Sequence, residues 1–398
     1  MTQRSDLECL RRRRQRYRDL LNKMKSPGPS SFFAYGNKYS LPFRFKDPPL
    51  IERAGSISEH QLQSFGAYFD SVGTACLHTD GKTPIIQIVQ SAHHLERLID
   101  FARAFGGKIY SAGPIRAGRA AAVHWTARKS DAVAVANSLL PFCQCKAARL
   151  EIISRWTPKM SQFLIEQWAD DFVNEKQEVL GRRVRHFDNW YEFGAFVDPM
   201  ISVGTSACGK VHVSFGCYNE SLMFVIQEFL SREGLAAADS SVTVTGKSGW
   251  VFRIYQFDSI VELARRLLPY VSQCHRHLVV IVQYANNSIS AERTQHILAL
   301  NGNKTKFCRN STDTMNITKR LDYLKSKKMA RVDDAQEIEN LTYKRALLQQ
   351  EHQTNVLAVH IREMLSNGAQ LRKPKGERHP SIFNQDSESK KITASVSL

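Results

Sequence analysis

Residues Phe65–Gly73 read FGAYFDSVG, and residues Phe193–Ile201, which begin 128 positions later, read FGAFVDPMI. The same offset of 128 relates two further pairs of residues, Gly106 with Gly234 and Pro141 with Pro269. Features that recur at one fixed spacing are the sequence signature of a repeat. We therefore predict that the chain contains two copies of one structural unit, each with one copy of the motif.

Two adjacent small residues lie inside each motif, between the side chains of Phe, Tyr and Val. A helix with adjacent small residues lets the backbone of a partner helix approach closely. The two motif helices are therefore predicted to pack side by side at the centre of a monomer with internal pseudo-twofold symmetry. The predicted interface residues are Gly66, Ala67, Gly194 and Ala195.

The chain has 398 residues and a formal net charge of +17. Most of this charge lies near the ends: residues 1–50 carry a net +8 and residues 301–398 a net +7, which leaves +2 for the residues between them. A basic chain favours a polyanionic partner such as nucleic acid. No apolar run approaches the roughly 18 residues that a membrane span needs, so no membrane partner is expected.

The eight cysteines lack the spacing of a disulfide framework or a zinc site. We expect buried, reduced thiols and a reducing intracellular compartment, namely a mitochondrion, a plastid or the nucleus. The run Arg11–Arg14, with Arg16 and Arg18, fits three interpretations. It can be a nuclear-import signal, part of an organelle presequence, or a basic helix that rests on nucleic acid.

Strand and helix patterns alternate after each motif. In the first unit we predict strands at 74–78, 84–90, 108–112 and 121–127, and helices at 93–105, 131–140 and 146–156. The second unit repeats this order. The predicted fold class is α+β, with two tandem α-β-β-α-β-β-α repeats whose antiparallel sheets form a pseudo-twofold saddle, plus helical basic extensions at both termini.

Composition divides the chain into five predicted segments. They are a basic N-terminal extension (1–57), the first repeat (58–157), a linker (158–188), the second repeat (189–286) and a charged helical C-terminal extension (287–398) with a disordered tail. The long C-terminal helix has weak heptad character, so it can be a solvated helix or a contact for a protein partner.

The motifs and the polar-faced hairpins that follow them resemble the LAGLIDADG homing endonucleases in their two-repeat, single-chain form. That resemblance implies motif helices at the repeat interface, sheets in the DNA major groove, and an acid at the eighth motif position of each repeat that holds divalent metals. Those positions here are Val72 and Met200. Neither side chain offers the hard oxygen ligands that Mg²⁺ prefers.

Other departures from the family pattern concern the residues around the motif acids. The ninth-position glycine is Gly73 in the first copy but Ile201 in the second, and Lys146 matches the family's active-site lysine whereas its counterpart is Cys274. The sixth-position acids, Asp70 and Asp198, are chiefly structural in the family. With Lys146 they are the candidate catalytic residues only if the protein is an active nuclease, and Mg²⁺ is then its cofactor.

The leading hypothesis is a binder of duplex DNA or structured intron RNA, similar to the maturases of this family, that needs no cofactor. Polar residues of the predicted sheets are the candidate contacts. At a constant offset of 128, Phe215 stands where Gln87 does, so the second sheet offers fewer of them. The candidates are His78, Lys82, Gln87, Gln90, Arg116, Arg119, His212, Lys247 and Arg253.

Two alternatives of other classes stay open. One is a divergent metal-dependent double-strand endonuclease that uses Asp70 and Asp198. The other is a structural subunit of a ribonucleoprotein in which the terminal extensions mediate assembly.

Overall fold

A computed structural model describes residues 2–25, 28–53, 55–78, 80–91, 95–112, 122–178, 185–205, 211–217, 219–235, 241–245, 249–301, 316–318, 320–324, 332–366 and 370–371. These residues form two compact units. The helical unit contains the described residues up to 28 and those beyond 302, and the repeat unit contains the described residues from 29 to 301. No helix in the described ranges is long and apolar enough to cross a membrane.

The helical unit joins the two ends of the chain. It contains helices α1 (Thr2–Lys23) and α12 (Val332–Ser366) and the short strands β1 (Met24–Lys25) and β12 (Gln370–Leu371), which pair antiparallel. Tyr17, Leu21 and Met24 pack with Ile361 in a small hydrophobic cluster of their own. The N-terminal basic helix is therefore docked on the C-terminal helix rather than extended alone.

The first repeat has the predicted order of elements. Ser58 caps its motif helix, and the side chains and backbones of Ser58 and Gln61 form a reciprocal capping box. Its sheet has the strand order β4-β5-β7-β6. The elements are α2 (Glu59–Val72), β4 (Gly73–Leu77), β5 (Pro84–Ser91), α3 (Glu96–Phe105), β6 (Lys108–Ser111), β7 (Ala122–Arg128), α4 (Ser130–Leu139) and α5 (Ala147–Ser154).

The second repeat follows the same plan, with strand order β10-β11-β9-β8. Every strand pair in both sheets is antiparallel, so the predicted α+β fold with two four-stranded antiparallel sheets is confirmed. The elements are α7 (Trp190–Val197), β8 (Ile201–Thr205), β9 (Val211–Cys217), α8 (Glu220–Arg232), β10 (Ser241–Thr245), β11 (Gly249–Ile254), α9 (Phe257–Leu267) and α10 (His275–Ala285).

The segments outside the repeats attach to them in simple ways. Strands β2 (Ser31–Ala34) and β3 (Asn37–Ser40) form a hairpin, and Phe43 then pairs with Ile109 on the edge strand β6. Covering an edge strand in this way satisfies its outward backbone groups. Helix α6 (Gln162–Glu178) lies in the linker, and α11 (Ala291–Asn301) follows the second repeat.

The sheets are buried on one side only. In β5, Ile86 and Ile88 are fully buried, whereas Val89 on the opposite face is 47% exposed. In β9, Val213 and Phe215 are fully buried and Gly216 is exposed. This alternation confirms that helices cover one face of each sheet and leave the other open.

Strand pairing shows that the two repeats are not in constant register. Gly73 pairs with Ile88 and Ile201 pairs with Phe215, so the second strands of the two hairpins are 127 positions apart, not 128. The first hairpin of the second repeat is one residue shorter. The match of Phe215 with Gln87 is therefore wrong, because Phe215 corresponds to Ile88 and Ser214 corresponds to Gln87.

The motif helices α2 and α7 pack against each other, as predicted. A Cβ on Gly66 would lie 2.6 Å from the carbonyl oxygen of Phe142, and a Cβ on Gly194 would lie 2.5 Å from Cβ of Tyr270. Both contacts are with the residue that follows the Leu-Leu-Pro run of the same repeat. Ala67 and Ala195 are fully buried in the core, and the interface role predicted for the four small residues stays a prediction.

We expect Gly66→Ala to lower the free energy of unfolding by about 1–3 kcal/mol, because the added methyl group overpacks the contact with Phe142. Gly216→Ala is the matched control, since the nearest atom to its new Cβ, on Val251, is 3.8 Å away. Urea denaturation of both variants measures the difference. Equal stability of the two variants would contradict the close contact.

Candidate nucleic-acid interface

The open face of the first sheet carries a row of polar side chains across all four strands. Thr74 pairs with Gln87, Gln87 with Thr126, and Thr126 with Lys108. Thr74 and Lys108 at the two edges are exposed and Gln87 is partly buried between them, whereas Thr126 is buried. We call these four residues the first polar row.

An equivalent row crosses the second sheet. Ser202 pairs with Ser214, and Ser214 pairs with Arg253. The hydroxyl oxygens of the two serines are 2.8 Å apart, so one hydroxyl donates to the other. These three residues, the second polar row, correspond to Thr74, Gln87 and Thr126 of the first sheet.

His212 lies beside the second polar row on the same open face. It pairs with Gly204, and a Cβ on Gly204 would lie 3.1 Å from its imidazole ring. The missing side chain therefore leaves room for the imidazole. The ring of Tyr255 is 5.9 Å from the ring of His212, so an aromatic surface continues the polar row.

A third feature of the first open face is His124, which pairs with Tyr110 and faces its ring at 5.5 Å. Burial, and then the positive charge of Arg128, lower the pKa of His124 below its usual range. This imidazole is therefore neutral near pH 7, and it can donate or accept one hydrogen bond.

The structure brings only some of the sequence-predicted contacts together. Gln87, His212 and Arg253 lie on the open faces. His78 and Lys82 lie at the first hairpin turn, where His78 Nδ1 is 3.4 Å from Asp80 Oδ2 and Lys82 Nζ donates to Gln162 Oε1 at 3.0 Å. Arg116, Arg119 and Lys247 are outside the described residues.

Gln90 lies on the other face of its strand, which corrects its predicted position beside Gln87. Its side chain is buried, and it donates to the hydroxyl of Tyr68 and accepts from Gln273 Nε2 at 2.8 Å. Because Gln273 belongs to the second repeat, this network joins the repeats inside the core. Residues three apart on a strand point to opposite faces, so Gln87 and Gln90 cannot contact the same ligand surface.

The eighth positions of the two motifs hold apolar side chains that pack on the core. Val72 ends α2, and Met200 lies in the turn after α7. Both are partly buried and contact the hydrophobic core. Gly73 is required where Phe69 packs, because a Cβ there would overlap that ring at 2.0 Å. In the second repeat Val197 stands in place of Phe69, and Ile201 stands in place of Gly73.

Asp70 is fully buried and its carboxylate is saturated with donors. Oδ2 accepts from the backbone N–H groups of Gln144 at 2.7 Å and Cys145 at 3.1 Å, and Oδ1 accepts from that of Lys146 at 3.0 Å. Arg185 Nη1 donates to Oδ2 at 2.8 Å. Asp70 therefore holds the segment that leads into α5 and neutralises a buried guanidinium.

Asp198 has the equivalent position in the second repeat. Oδ2 accepts from the backbone N–H and the hydroxyl of Ser272 at 3.0 and 2.8 Å, and Oδ1 accepts from the backbone N–H of Gln273 at 2.9 Å. It is 1% exposed. The two acids thus hold the segment that leads into α5 or α10 of their own repeat.

Lys146 is held at the C-terminal end of α2. Its Nζ donates to the carbonyl oxygen of Phe69 at 2.6 Å and lies 5.3 Å from the centre of that ring. Burial lowers the pKa of Lys146 to about 8, although Asp70 acts in the opposite direction. The charged amine of Lys146 donates hydrogen bonds here, and the neutral amine, which forms as the pH rises through about 8, can accept a proton.

The residues at the motif ends do not fit a Mg²⁺ site. Val72 and Met200 supply no oxygen ligand. The carboxylates of Asp70 and Asp198 are buried, and their oxygens already accept hydrogen bonds from backbone N–H groups and, at Asp70, from Arg185. Over the described ranges, no group of three or more His, Cys, Asp or Glu side chains is arranged to hold a metal ion. The catalytic roles suggested for Asp70, Asp198 and Lys146, and the expectation that no cofactor is needed, stay predictions.

Sequence reasoning missed Arg185, which is fully buried between the repeats. Its Nη1 contacts Asp70 and the carbonyl oxygen of Phe142 at 2.9 Å, and its Nη2 is 3.2 Å from Glu192 Oε1 on α7. It also missed Thr74, Lys108, Ser202 and Ser214. The alternation of the strands contained the signal for Thr74 and Lys108, whereas Ser202 and Ser214 needed the corrected register.

We expect Asp70→Asn to lower the free energy of unfolding by about 3–5 kcal/mol, because it removes one charge from a buried ion pair with Arg185. Asp198→Asn is the matched control, with an expected loss of about 1–3 kcal/mol from weakened hydrogen bonds alone. Urea denaturation at neutral pH measures both. Unchanged or raised stability of Asp70→Asn would contradict the role of Asp70 in holding the segment before α5. It would favour a catalytic acid whose burial destabilises the folded protein.

The lowered pKa of Lys146 predicts a pH dependence of stability. Its pKa in the unfolded chain is about 10.4, so between about pH 8 and about pH 10.4 the unfolded state binds more protons than the folded state. The free energy of unfolding of the unaltered protein should therefore rise with pH relative to Lys146→Met, by at most about 1.4 kcal/mol per pH unit. Urea titrations of both proteins across this range test it, and parallel curves would contradict it.

Comparison with known proteins finds similarity in structure but not in sequence. No protein-family model matches the chain, and no curated protein does. The LAGLIDADG homing endonuclease I-GzeII in complex with its DNA target has a TM-score of 0.45 and 12% identity over 60% of this chain and 96% of that one. The LAGLIDADG meganuclease I-AabMI bound to uncleaved DNA has a TM-score of 0.43 and 12% identity over 59% of this chain and 93% of that one. I-CpaMI, another LAGLIDADG meganuclease bound to uncleaved DNA, has a TM-score of 0.36 and 14% identity over 70% and 97%.

Proposed function

We propose that this protein binds nucleic acid along the open faces of both sheets without cutting it. The proposal rests on the repetition of a polar row at equivalent positions of the open faces of both sheets. Each row contains one cation, Lys108 in the first and Arg253 in the second. A polar face conserved between two duplicated sheets suits a ligand that extends over both.

The chemistry of the rows fits nucleic acid. Lys and Arg contact phosphates or guanine, glutamine pairs with adenine, and serine and threonine hydroxyls donate to either bases or phosphates. Each well-placed base contact contributes about 1–3 kcal/mol of discrimination. Gln87 and Arg253 are the side chains in the rows that can make two hydrogen bonds to one base.

The absence of cutting is inferred from the motif ends. Metal-assisted hydrolysis of a phosphodiester needs oxygen ligands that hold the ion beside the scissile bond. Val72 and Met200 offer none, and the nearby carboxylates of Asp70 and Asp198 already accept hydrogen bonds from the segments before α5 and α10. A maturase-like role in folding intron RNA follows from the resemblance of the motifs, and structured RNA is therefore one expected ligand beside duplex DNA.

The experiment is binding of the purified full-length protein to duplex DNA and to structured RNA over a salt series with Mg²⁺ present, with the products separated on a gel. Tight, salt-dependent binding of uncut nucleic acid supports the proposal, and the preferred ligand separates RNA from DNA. Mg²⁺-dependent cuts at defined sites would overturn it in favour of the endonuclease. Stable association with other proteins after nuclease treatment, with no binding to nucleic acid, would favour the ribonucleoprotein subunit.

We expect Lys108→Gln and Arg253→Gln each to weaken binding and to reduce the slope of log affinity against log salt by about 1, because each removes one phosphate contact. If Arg253 reads a base instead, discrimination between sequences falls and the slope changes less. The matched control is Lys159→Gln, an exposed cation outside both sheets. Equal binding by the variants and the control would contradict the proposed interface.

A further inference from the structure

The arginine-rich helix α1 is held in place by α12. Tyr17, Leu21 and Met24 recur at helical spacing, and all three are less than 10% exposed in the cluster that contains Ile361. Leu357 and Leu365 pack against the same cluster. Helix α1 is therefore an amphipathic helix whose apolar face is packed inside the helical unit.

The two helices run in the same direction. Arg14 Nη1 donates to Gln350 Oε1 at 3.1 Å, and just beyond the C-terminal ends of both helices Met24 of β1 pairs with Leu371 of β12. Burial, together with the charge of Arg18, lowers the pKa of Arg14. Arg14 is partly buried and fastens α1 to α12.

The other arginines of the run remain on the surface. Arg11, Arg12, Arg13, Arg16 and Arg18 are all exposed. Arg12 pairs with Glu8 at 2.9 Å with its side chain 73% exposed, and Arg13 donates to the hydroxyl of Tyr17 at 3.0 Å. An exposed pair of this kind contributes little stability, so it leaves Arg12 available to a stronger anion.

Like charges so close on one helix repel each other. Residues 2–25 carry nine Lys and Arg against three Asp and Glu, a net charge of +6. Helix α12 carries six acids against three basic residues, but four of the acids lie at positions 333–339, before the level of the arginine run. Glu351 follows the Arg14 partner Gln350 and is one carboxylate beside several arginines, so a polyanion would reduce the repulsion further.

The spacing of the run matches a nucleic-acid backbone. Seven residues separate Arg11 from Arg18, so at 1.5 Å per residue the run is about 10 Å long. One strand of a duplex presents a phosphate about every 3.4 Å along its axis. The exposed guanidinium groups can therefore contact about three successive phosphates.

We propose that the exposed arginines of α1 form a second phosphate-binding surface, separate from the sheets. It adds affinity without sequence preference, because guanidinium–phosphate contacts do not read bases. The proposal rests on the proposed function, since it assigns to the helical unit a share of the same ligand. It also makes α1 a functional part of the folded protein, because the helix that carries the arginines is packed against α12.

The test replaces Arg11, Arg12, Arg16 and Arg18 by glutamine in the full-length protein. Glutamine keeps high helix propensity, so the helical content and the melting temperature should not change. We expect the magnitude of the slope of log affinity against log salt to decrease by about 2–4, and the affinity at low salt to decrease about tenfold or more. The loss should be equal for unrelated sequences of the same nucleic acid.

Two matched variants make the result specific. Replacement of Arg44, Lys46, Arg53 and Lys159 by glutamine removes the same charge from exposed sites of the repeat unit, and it should change the slope less. Replacement of the four α1 arginines by lysine keeps the charge and should retain most of the slope.

The outcomes separate the two proposals. If the unaltered protein binds neither RNA nor DNA, the proposed function fails and this inference fails with it. If the unaltered protein binds but the α1 glutamine variant has the slope of the charge-matched control, only this inference is overturned. A loss confined to one sequence would also overturn it, because it would show base reading by α1.

Discussion

The buried ion group of Asp70, Arg185 and Glu192 is the interaction on which the repeat unit depends. Asp70 lies in the last turn of α2, Arg185 lies in the linker, and Glu192 lies in the first turn of α7. The acids of both motif helices thus meet at one guanidinium that is entirely shielded from water, and Asp70 is 115 positions away from it in sequence. A buried charge that loses a partner costs several kcal/mol, so this group couples the packing of α2 to the position of α7.

The acids of both motifs have a structural role in their own repeat. In each repeat an acid accepts the N–H groups of the turn that follows the Leu-Leu-Pro run, and the motif glycine packs against that turn from the same side. Polar side chains also line the open faces of both sheets. In the helical unit, basic charge lies on α1, which is docked on α12.

Much of the fold was predictable because it rests on local patterns. The duplicated motif, the alternation of the strands and the stop signals at glycine and proline predicted the order of elements in both repeats. The site was predicted less well: Gln87, His212 and Arg253 lie on the open faces, but Gln90 does not. One residue fewer in a hairpin also misaligned Phe215 with Gln87, since a shift of one position exchanges the two faces of a strand.

By itself, the sequence determined that two copies of an α+β unit exist, that their motif helices meet, and that the basic charge lies near the termini. These properties depend on composition and on short-range periodicity. Only the tertiary structure decided that Asp70 and Asp198 accept hydrogen bonds from the segments before α5 and α10, that Arg185 pairs with Asp70, that Gly66 and Gly194 lie against Phe142 and Tyr270, and that α1 docks on α12. Each of these is a contact between residues at least 40 positions apart, and the residue type at one end does not specify which partner the folded chain brings to it.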